Sequence, residues 1–125
     1  MNRKIKEVDA YQAYERIQHG AILIDIREKE EVETVSFDMK QQMLIPQSEI
    51  ILRLREIPRD REVIIGCNSG TRSYHITRFL TEQNFENVYN LLGGITKWIE
   101  LNLPVRWNNI ERESNIEDKV KVHVI

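Results

Sequence analysis

The stretch EVIIGCNSGTRSYHITRFLTEQ, Glu62 to Gln83, changes periodicity halfway along. Its first part, Glu62 to Ile65, is continuously apolar after the glutamate, the pattern of a strand buried on both faces. In its last part Ile76, Phe79 and Leu80 fall on one stripe, so Thr71 to Gln83 reads as a helix. The residues between are small or turn-forming. A buried strand that feeds a helix through a tight loop is the building unit of a parallel α/β sheet.

The same alternation extends in both directions. Ile5 and Val8 flank a short extended segment, and Asp9 caps a helix from about Ala10 to Gln18 that stops at Gly20. Tyr11, Tyr14 and Ile17 supply its expected buried face. The run from Ala21 to Ile24, followed by Asp25, reads as a second buried strand. The charged segment REKEEVETV predicts a short exposed helix near Glu28 to Thr34, anchored by Val32 and Val35, and Ser36 to Gln42 reads as a loop. Met43 to Ile45 reads as a short strand ended by Pro46. Ser48 to Arg55 follows as a helix with Ile50, Ile51 and Leu54 on one face, stopped at Pro58. Asn87 to Asn90 is a further strand, after which Gly93 and Gly94 turn the chain into a last helix containing Ile95, Trp98 and Ile99. The expected class is α/β, with a mainly parallel central sheet and helices on both faces.

A chain of 125 residues is long enough for one core without staples, and one domain is expected over residues 1 to 105. Residues 106 to 125 form a charged tail in which Val120, Val122 and Val124 alternate with Lys121 and His123, the period of a strand. That tail reads equally as an added sheet edge or as disordered chain. The net charge of −2 gives no electrostatic reason to propose nucleic acid or an anionic membrane as partner. No stretch approaches the roughly 18 apolar residues that cross a bilayer, and the cytoplasm is the expected location.

The chain's only cysteine, Cys67, ends the third strand. A single cysteine makes no internal disulfide and supplies no cysteine-rich zinc site. In open α/β sheets, ligands bind at the carboxyl ends of the strands. From Asn68 through Ser69, Gly70 and Thr71 the backbone can curl so that its N–H groups converge, continuous with a helix N-terminus, and such a nest favours an anion. A thiolate or a persulfide is an anion, and the N–H array with Arg72 should lower the thiol pKa. A cysteine serving only as a small buried hydrophobe would not require the polar and basic residues that follow it.

CNSGTRS resembles the active-site loop of single-domain rhodanese-like sulfurtransferases, in which a Cys-x-x-Gly-x-Arg-Ser pattern follows a buried strand. LIDIRE, Leu23 to Glu28, is similar to the family's early Asp-Val-Arg strand end, and LLGGITKWIELNLPV, Leu91 to Val105, to its closing Gly-Gly-x-x-x-Trp pattern. The resemblance spans about residues 4 to 105. It implies that Cys67 accepts sulfur as a persulfide and that the backbone from Asn68 to Ser73 cradles it. For Arg72 it leaves two roles open: binding an anionic substrate, or bracing the loop by pairing with an acid such as Asp25 or Glu28. Asp25 and Arg27 match a supporting pair read more often as structural than catalytic, and Trp98 matches a core aromatic.

The resemblance also implies sulfur transfer over phosphate ester hydrolysis. In related phosphatases the loop from cysteine to arginine is one residue longer. One segment departs from the family pattern: where a Gly-His-Ile-Pro-Gly-Ala-like stretch is usual, this chain has TVSFDMKQQMLIP, which puts pocket shape and substrate preference in question.

His75 lies one turn into the helix after the loop, but a thiolate activated by N–H groups requires no partner base. His19 and His123 read as structural or solvated, and the acidic run Glu28, Glu30, Glu31 and Glu33 as a solvated helix face. No metal-ligand spacing or nucleotide-binding loop is present in the sequence, and no cofactor is implied. The expected activity moves sulfane sulfur from thiosulfate or a persulfide donor to a thiol or cyanide acceptor through Cys67, with a protein sulfur acceptor as a further expected partner. The alternatives are a rhodanese-like sulfur-carrier, sensing or protein-binding module with little turnover, and a phosphatase or arsenate reductase-like enzyme.

Overall fold

The computed structural model describes residues 3–108. Five strands form one sheet: β1 (Glu7–Val8), β2 (Ile22–Asp25), β4 (Gln42–Leu44), β5 (Val63–Gly66) and β6 (Val88–Leu91). Their order is β1-β6-β5-β2-β4, and every pairing is parallel. A second, two-stranded sheet joins β3 (Val35–Phe37) to β7 (Val105–Trp107) in antiparallel fashion. The α-helices are α1 (Ala10–Gln18), α2 (Lys29–Val32), α3 (Thr71–Glu82) and α4 (Gly94–Glu100).

Side chains of the central strands alternate between two cores, one on each face. Ile22, Ile24, Val63, Ile65 and Cys67 meet Ile76 and Leu80 of α3, while Leu23 and Ile64 meet Ala13 and Ile17 of α1 and Ile95 and Trp98 of α4. Cys67 thus shares its face with Val63 and Ile65, and its sulfur points toward α3 rather than toward α1. No helix among the described residues is long and apolar enough to cross a membrane.

Local structure follows the sequence reading where a cap or a strong period fixes it. At α1, the Asp9 carboxylate accepts from Gln12 N at 2.8 Å while Gln12 Oε1 accepts from Asp9 N at 3.0 Å, a reciprocal capping box. The buried face of α1 is Ala10, Ala13 and Ile17 rather than Tyr11, Tyr14 and Ile17, and Tyr11 is 59% exposed. Alanines let the helix approach the sheet closely, and Tyr14 instead stands at the rim with its ring edge-on to Trp98 at 6.2 Å.

Two further expectations are corrected. Part of the loop expected over Ser36 to Gln42 is strand: Val35 and Phe37 face inward, and Phe37 packs edge-on against Trp98 at 5.3 Å. β7 supplies the hydrogen-bonding partner for that strand, and Trp98 Nε1 donates to the Pro104 carbonyl beside it at 2.8 Å. The helix expected over Ser48 to Arg55 is two 3₁₀ turns, Gln47–Glu49 and Leu54–Glu56. Ile50 and Ile57 are its buried anchors and Ile51 is exposed, so no single helical stripe faces the core. Pro46 and Pro58 bound the segment, and the Ser48 N–H and hydroxyl are both held by the Glu28 carboxylate, at 3.1 and 2.8 Å. The alternating valines at Val120, Val122 and Val124 lie outside the described residues.

Candidate active site

Cys67 follows β5 directly and is 1% exposed. Its sulfur accepts from Gly70 N at 3.1 Å and Ser73 N at 3.3 Å, and lies 3.2 Å from Ser73 Oγ. The expected nest is therefore present, built from the loop and the first turn of α3, whose N–H groups have no intrahelical acceptor. Burial pushes the Cys67 thiol up, but hydrogen bonds from the Ser73 hydroxyl, when its proton is turned to the sulfur, and from the backbone of Ser73, Gly70 and Ser69 outweigh it, and the pKa lies below that of an ordinary thiol.

The loop's N–H groups can turn inward because its carbonyls are held outward. Ile95 N donates to the Cys67 carbonyl at 2.8 Å and Thr96 N to the Asn68 carbonyl at 3.1 Å, so the first turn of α4 takes up the opposite edge of the loop. This contact requires glycine at 94. A Cβ there would fall 2.6 Å from the Asn68 carbonyl carbon and oxygen, and the residue has φ +56°. The pair Gly93-Gly94, read in the sequence as a turn, thereby also shapes the cysteine loop.

Arg72 does not pair with Asp25 or Glu28. Its guanidinium forms a two-pronged ion pair with Glu31, at 2.8 Å from Nη1 to Oε2 and 2.6 Å from Nη2 to Oε1. Glu31 is thus a partner of the loop and not merely part of a solvated face. Arg72 lowers the Glu31 carboxyl to about 2. The same carboxylate accepts from Glu28 N at 3.0 Å and caps α2, so one side chain ties α2 to α3 across the mouth of the loop. Spacing within the acidic run carried no mark of this role, because the partner lies 41 residues away.

Asp25 and Arg27 form a separate, buried pair at the end of β2. Arg27, 2% exposed, approaches Asp25 Oδ2 to 2.8 Å through Nη2 and donates from the same nitrogen to the Val35 carbonyl at 2.9 Å. The pair fastens β3 to the central sheet, and neither residue contacts the cysteine sulfur through a hydrogen bond. Asn68, Ser69 and Thr71 are exposed around the loop, as is His75, whose ring stands edge-on to Tyr74 at 5.7 Å. Asn90 was missed: it is buried, and its Oδ1 accepts from Ser73 Oγ at 2.6 Å. Its place near the end of a parallel strand next to β5 was the available signal. Among the described residues, no group of three or more His, Cys, Asp or Glu side chains could hold a metal ion.

Known proteins are similar to this chain in sequence and fold. The rhodanese-like domain model matches residues 9–101. A sulfurtransferase of Allochromatium vinosum is 34% identical over 103 residues, covering 81% of this chain and 94% of that protein. The thiosulfate sulfurtransferase GlpE of Haemophilus influenzae is 32% identical over 101 residues, covering 80% and 93%. The crystal structure of a rhodanese-related protein from Thermoplasma volcanium superposes with a TM-score of 0.73 at 29% identity, over 81% of this chain and 97% of that one. The chain belongs to the rhodanese-like domain family, among relatives whose general chemistry is sulfur transfer.

Proposed function

We propose that the protein is a sulfurtransferase that stores sulfane sulfur on Cys67. The observation that carries this reading is the convergence of Gly70 N and Ser73 N on Cys67 Sγ, at 3.1 and 3.3 Å, in a loop of four residues between cysteine and arginine. Such a cradle stabilises negative charge on sulfur without a general base. The relatives named above include a thiosulfate sulfurtransferase, which makes thiosulfate the first donor to test.

In the first step the Cys67 thiolate attacks the outer sulfur of thiosulfate. The S–S bond of the donor breaks, sulfite leaves with the electron pair, and Cys67 becomes a persulfide whose outer sulfur carries the charge. A persulfide donor reacts in the same way and releases a thiolate. In the second step an acceptor thiolate or cyanide attacks that outer sulfur, the new S–S bond breaks, and the electron pair returns to Sγ. Asn68 to Ser73 supply the cradle in both steps. Arg72, engaged by Glu31, braces the loop and adds positive charge at its mouth, while Asp25 and Arg27 support the strand end from which the loop departs.

Reduced protein and a Cys67→Ser variant, each incubated with thiosulfate or polysulfide and weighed intact, test this assignment. Gain of one sulfur atom by the wild type alone supports persulfide chemistry at Cys67. No gain with either donor would sink the assignment in favour of a binding module.

A further inference from the structure

Behind the loop, a chain of polar side chains runs from the cysteine to the edge of the sheet. Ser73 Oγ lies 3.2 Å from Cys67 Sγ and donates to Asn90 Oδ1 at 2.6 Å. Asn90 Nδ2 in turn donates to Glu7 Oε2 at 2.9 Å and to the Gly70 carbonyl at 3.3 Å. Ser73 and Asn90 are buried, whereas Glu7 is exposed on the edge strand β1. A carboxylate and a carbonyl only accept, so the Asn90 amide nitrogen must face them and its oxygen must face Ser73. The direction of this amide is therefore dictated by its partners.

Serine has one hydroxyl proton. Committed to Asn90, it leaves only lone pairs toward Cys67, which accept from a neutral thiol S–H but offer a thiolate nothing. A thiolate gains the Ser73 hydrogen bond only when the hydroxyl rotates, and the buried Asn90 oxygen then loses its donor. We propose that Asn90, oriented by Glu7, is a positioning residue that competes with Cys67 Sγ for the Ser73 hydroxyl proton and so opposes formation of the free thiolate.

The consequence for turnover rests on the sulfur-transfer reading. In the persulfide the charge sits on the outer sulfur and Sγ is neutral, so Ser73 stays with Asn90. On discharge the acceptor forms its bond to the outer sulfur, the electron pair of the broken S–S bond returns to Sγ, and only then is the Ser73 proton required there. Asn90 thus disfavours the discharged thiolate and leaves the loaded form unaffected. The other charged groups arrayed around the cysteine are Arg72 of α3 with Glu31 of α2, and the Asp25–Arg27 pair at the end of β2. None of them is altered by substitution at position 90.

The test is the Cys67 pKa, read from the pH dependence of iodoacetamide alkylation of the full chain. The variants are Ser73→Ala, Asn90→Ala and Asn90→Leu, with each of the latter two also combined with Ser73→Ala. Asn90→Ala is expected to lower the pKa by about one unit, roughly tenfold more thiolate at a pH below it, and to have no effect without the Ser73 hydroxyl. An unchanged or raised pKa in Asn90→Ala, or a fall that persists in the Ser73→Ala background, overturns the proposal. Should Asn90→Ala not fold, the nearly isosteric Asn90→Leu, which likewise lacks the acceptor for Ser73, decides. A lowered pKa that vanishes with Ser73→Ala supports the proposal, whereas no fall, or one that survives in the Ser73→Ala background, overturns it. Sulfur uptake is weighed separately on the wild type, so a protein that takes up no sulfur refutes the transfer reading without touching the Asn90 result.

Discussion

Gly94→Ala should damage the cysteine loop more than any other single methyl group added to this protein. Three effects combine at that position. With φ +56°, an L-residue costs about 1–2 kcal/mol relative to glycine. The new Cβ would overlap the carbonyls of Cys67 and Asn68, which are backbone and cannot swing aside, so α4 and the loop must separate. Separation loses or lengthens the bonds from Ile95 N to Cys67 O and from Thr96 N to Asn68 O, at about 0.5–1.5 kcal/mol each. Together these come to about 3 kcal/mol, a large share of the roughly 5–15 kcal/mol that holds a domain of this size. Gly20→Ala is the control: φ there is +112°, and an added Cβ would meet nothing within 4 Å, so only the backbone term remains. Urea unfolding followed by circular dichroism gives the stability of both variants, and iodoacetamide kinetics on the folded proteins report the cradle. The expected result is a Gly94→Ala loss at least as large as that of Gly20→Ala, although φ +112° is the more strained backbone for an L-residue, with the alkylation profile of Cys67 moved to higher pH in Gly94→Ala alone because its N–H donors are misplaced. A Gly94→Ala loss smaller than that of Gly20→Ala, together with an unmoved alkylation profile, would refute the idea that α4 shapes the loop.

Other outcomes follow from individual contacts. Arg27→Met leaves Asp25 buried without its cation and should cost about 3–5 kcal/mol by urea unfolding, since breaking one side of a buried pair strands the other charge. Glu31→Gln removes a pair that is about a third exposed, and should cost less than about 1 kcal/mol at neutral pH. Because the Glu31 carboxyl is lowered from 4.5 to about 2 in the folded chain, its contribution is complete above pH 4.5 and is lost as pH falls toward 2. Urea midpoints of wild type and Glu31→Gln should accordingly differ at pH 7 and converge on acidification through that window; a difference that grows in acid would contradict the pair. Cys67 itself, with its pKa lowered by the cradle, should reach the plateau of its alkylation rate at a lower pH than free cysteine, and urea-unfolded protein should lose that advantage.

The parts of the fold legible in the sequence were those fixed by neighbours along the chain. Asp9 and Gln12 cap α1 within four residues, and the apolar runs at Ile22–Asp25 and Val63–Gly66 are strands because both their faces are covered. The unit β5-loop-α3 could be read whole for the same reason: strand, nest and helix are contiguous, and the sulfur's N–H donors come from residues three and six positions beyond Cys67. β3 escaped notice because its pairing partner, β7, lies some seventy residues further on, and three residues of alternation resemble any polar loop. The segment from Gln47 to Glu56 was misread because helical spacing at Ile50, Ile51 and Leu54 exists in the sequence while the core accepts only Ile50 and Ile57 as fully buried anchors.

The same division runs through the candidate site. Everything that makes the sulfur a hydrogen-bond acceptor is local, whereas everything that restrains the loop comes from elsewhere: Glu31 from α2, Asn90 from β6, Ile95 and Thr96 from α4. A short motif therefore identifies which atom can carry charge without revealing how easily it does so. Two chains with an identical CNSGTRS loop should differ in Cys67 reactivity if they differ at 31, 90 or 94. Exchange at these three positions, with the loop unchanged, separates the two contributions. Alkylation profiles that stay together despite such exchange would place control in the loop alone; profiles that move with Asn90 and Gly94, and less with the solvent-screened Glu31, would place it in the surrounding elements.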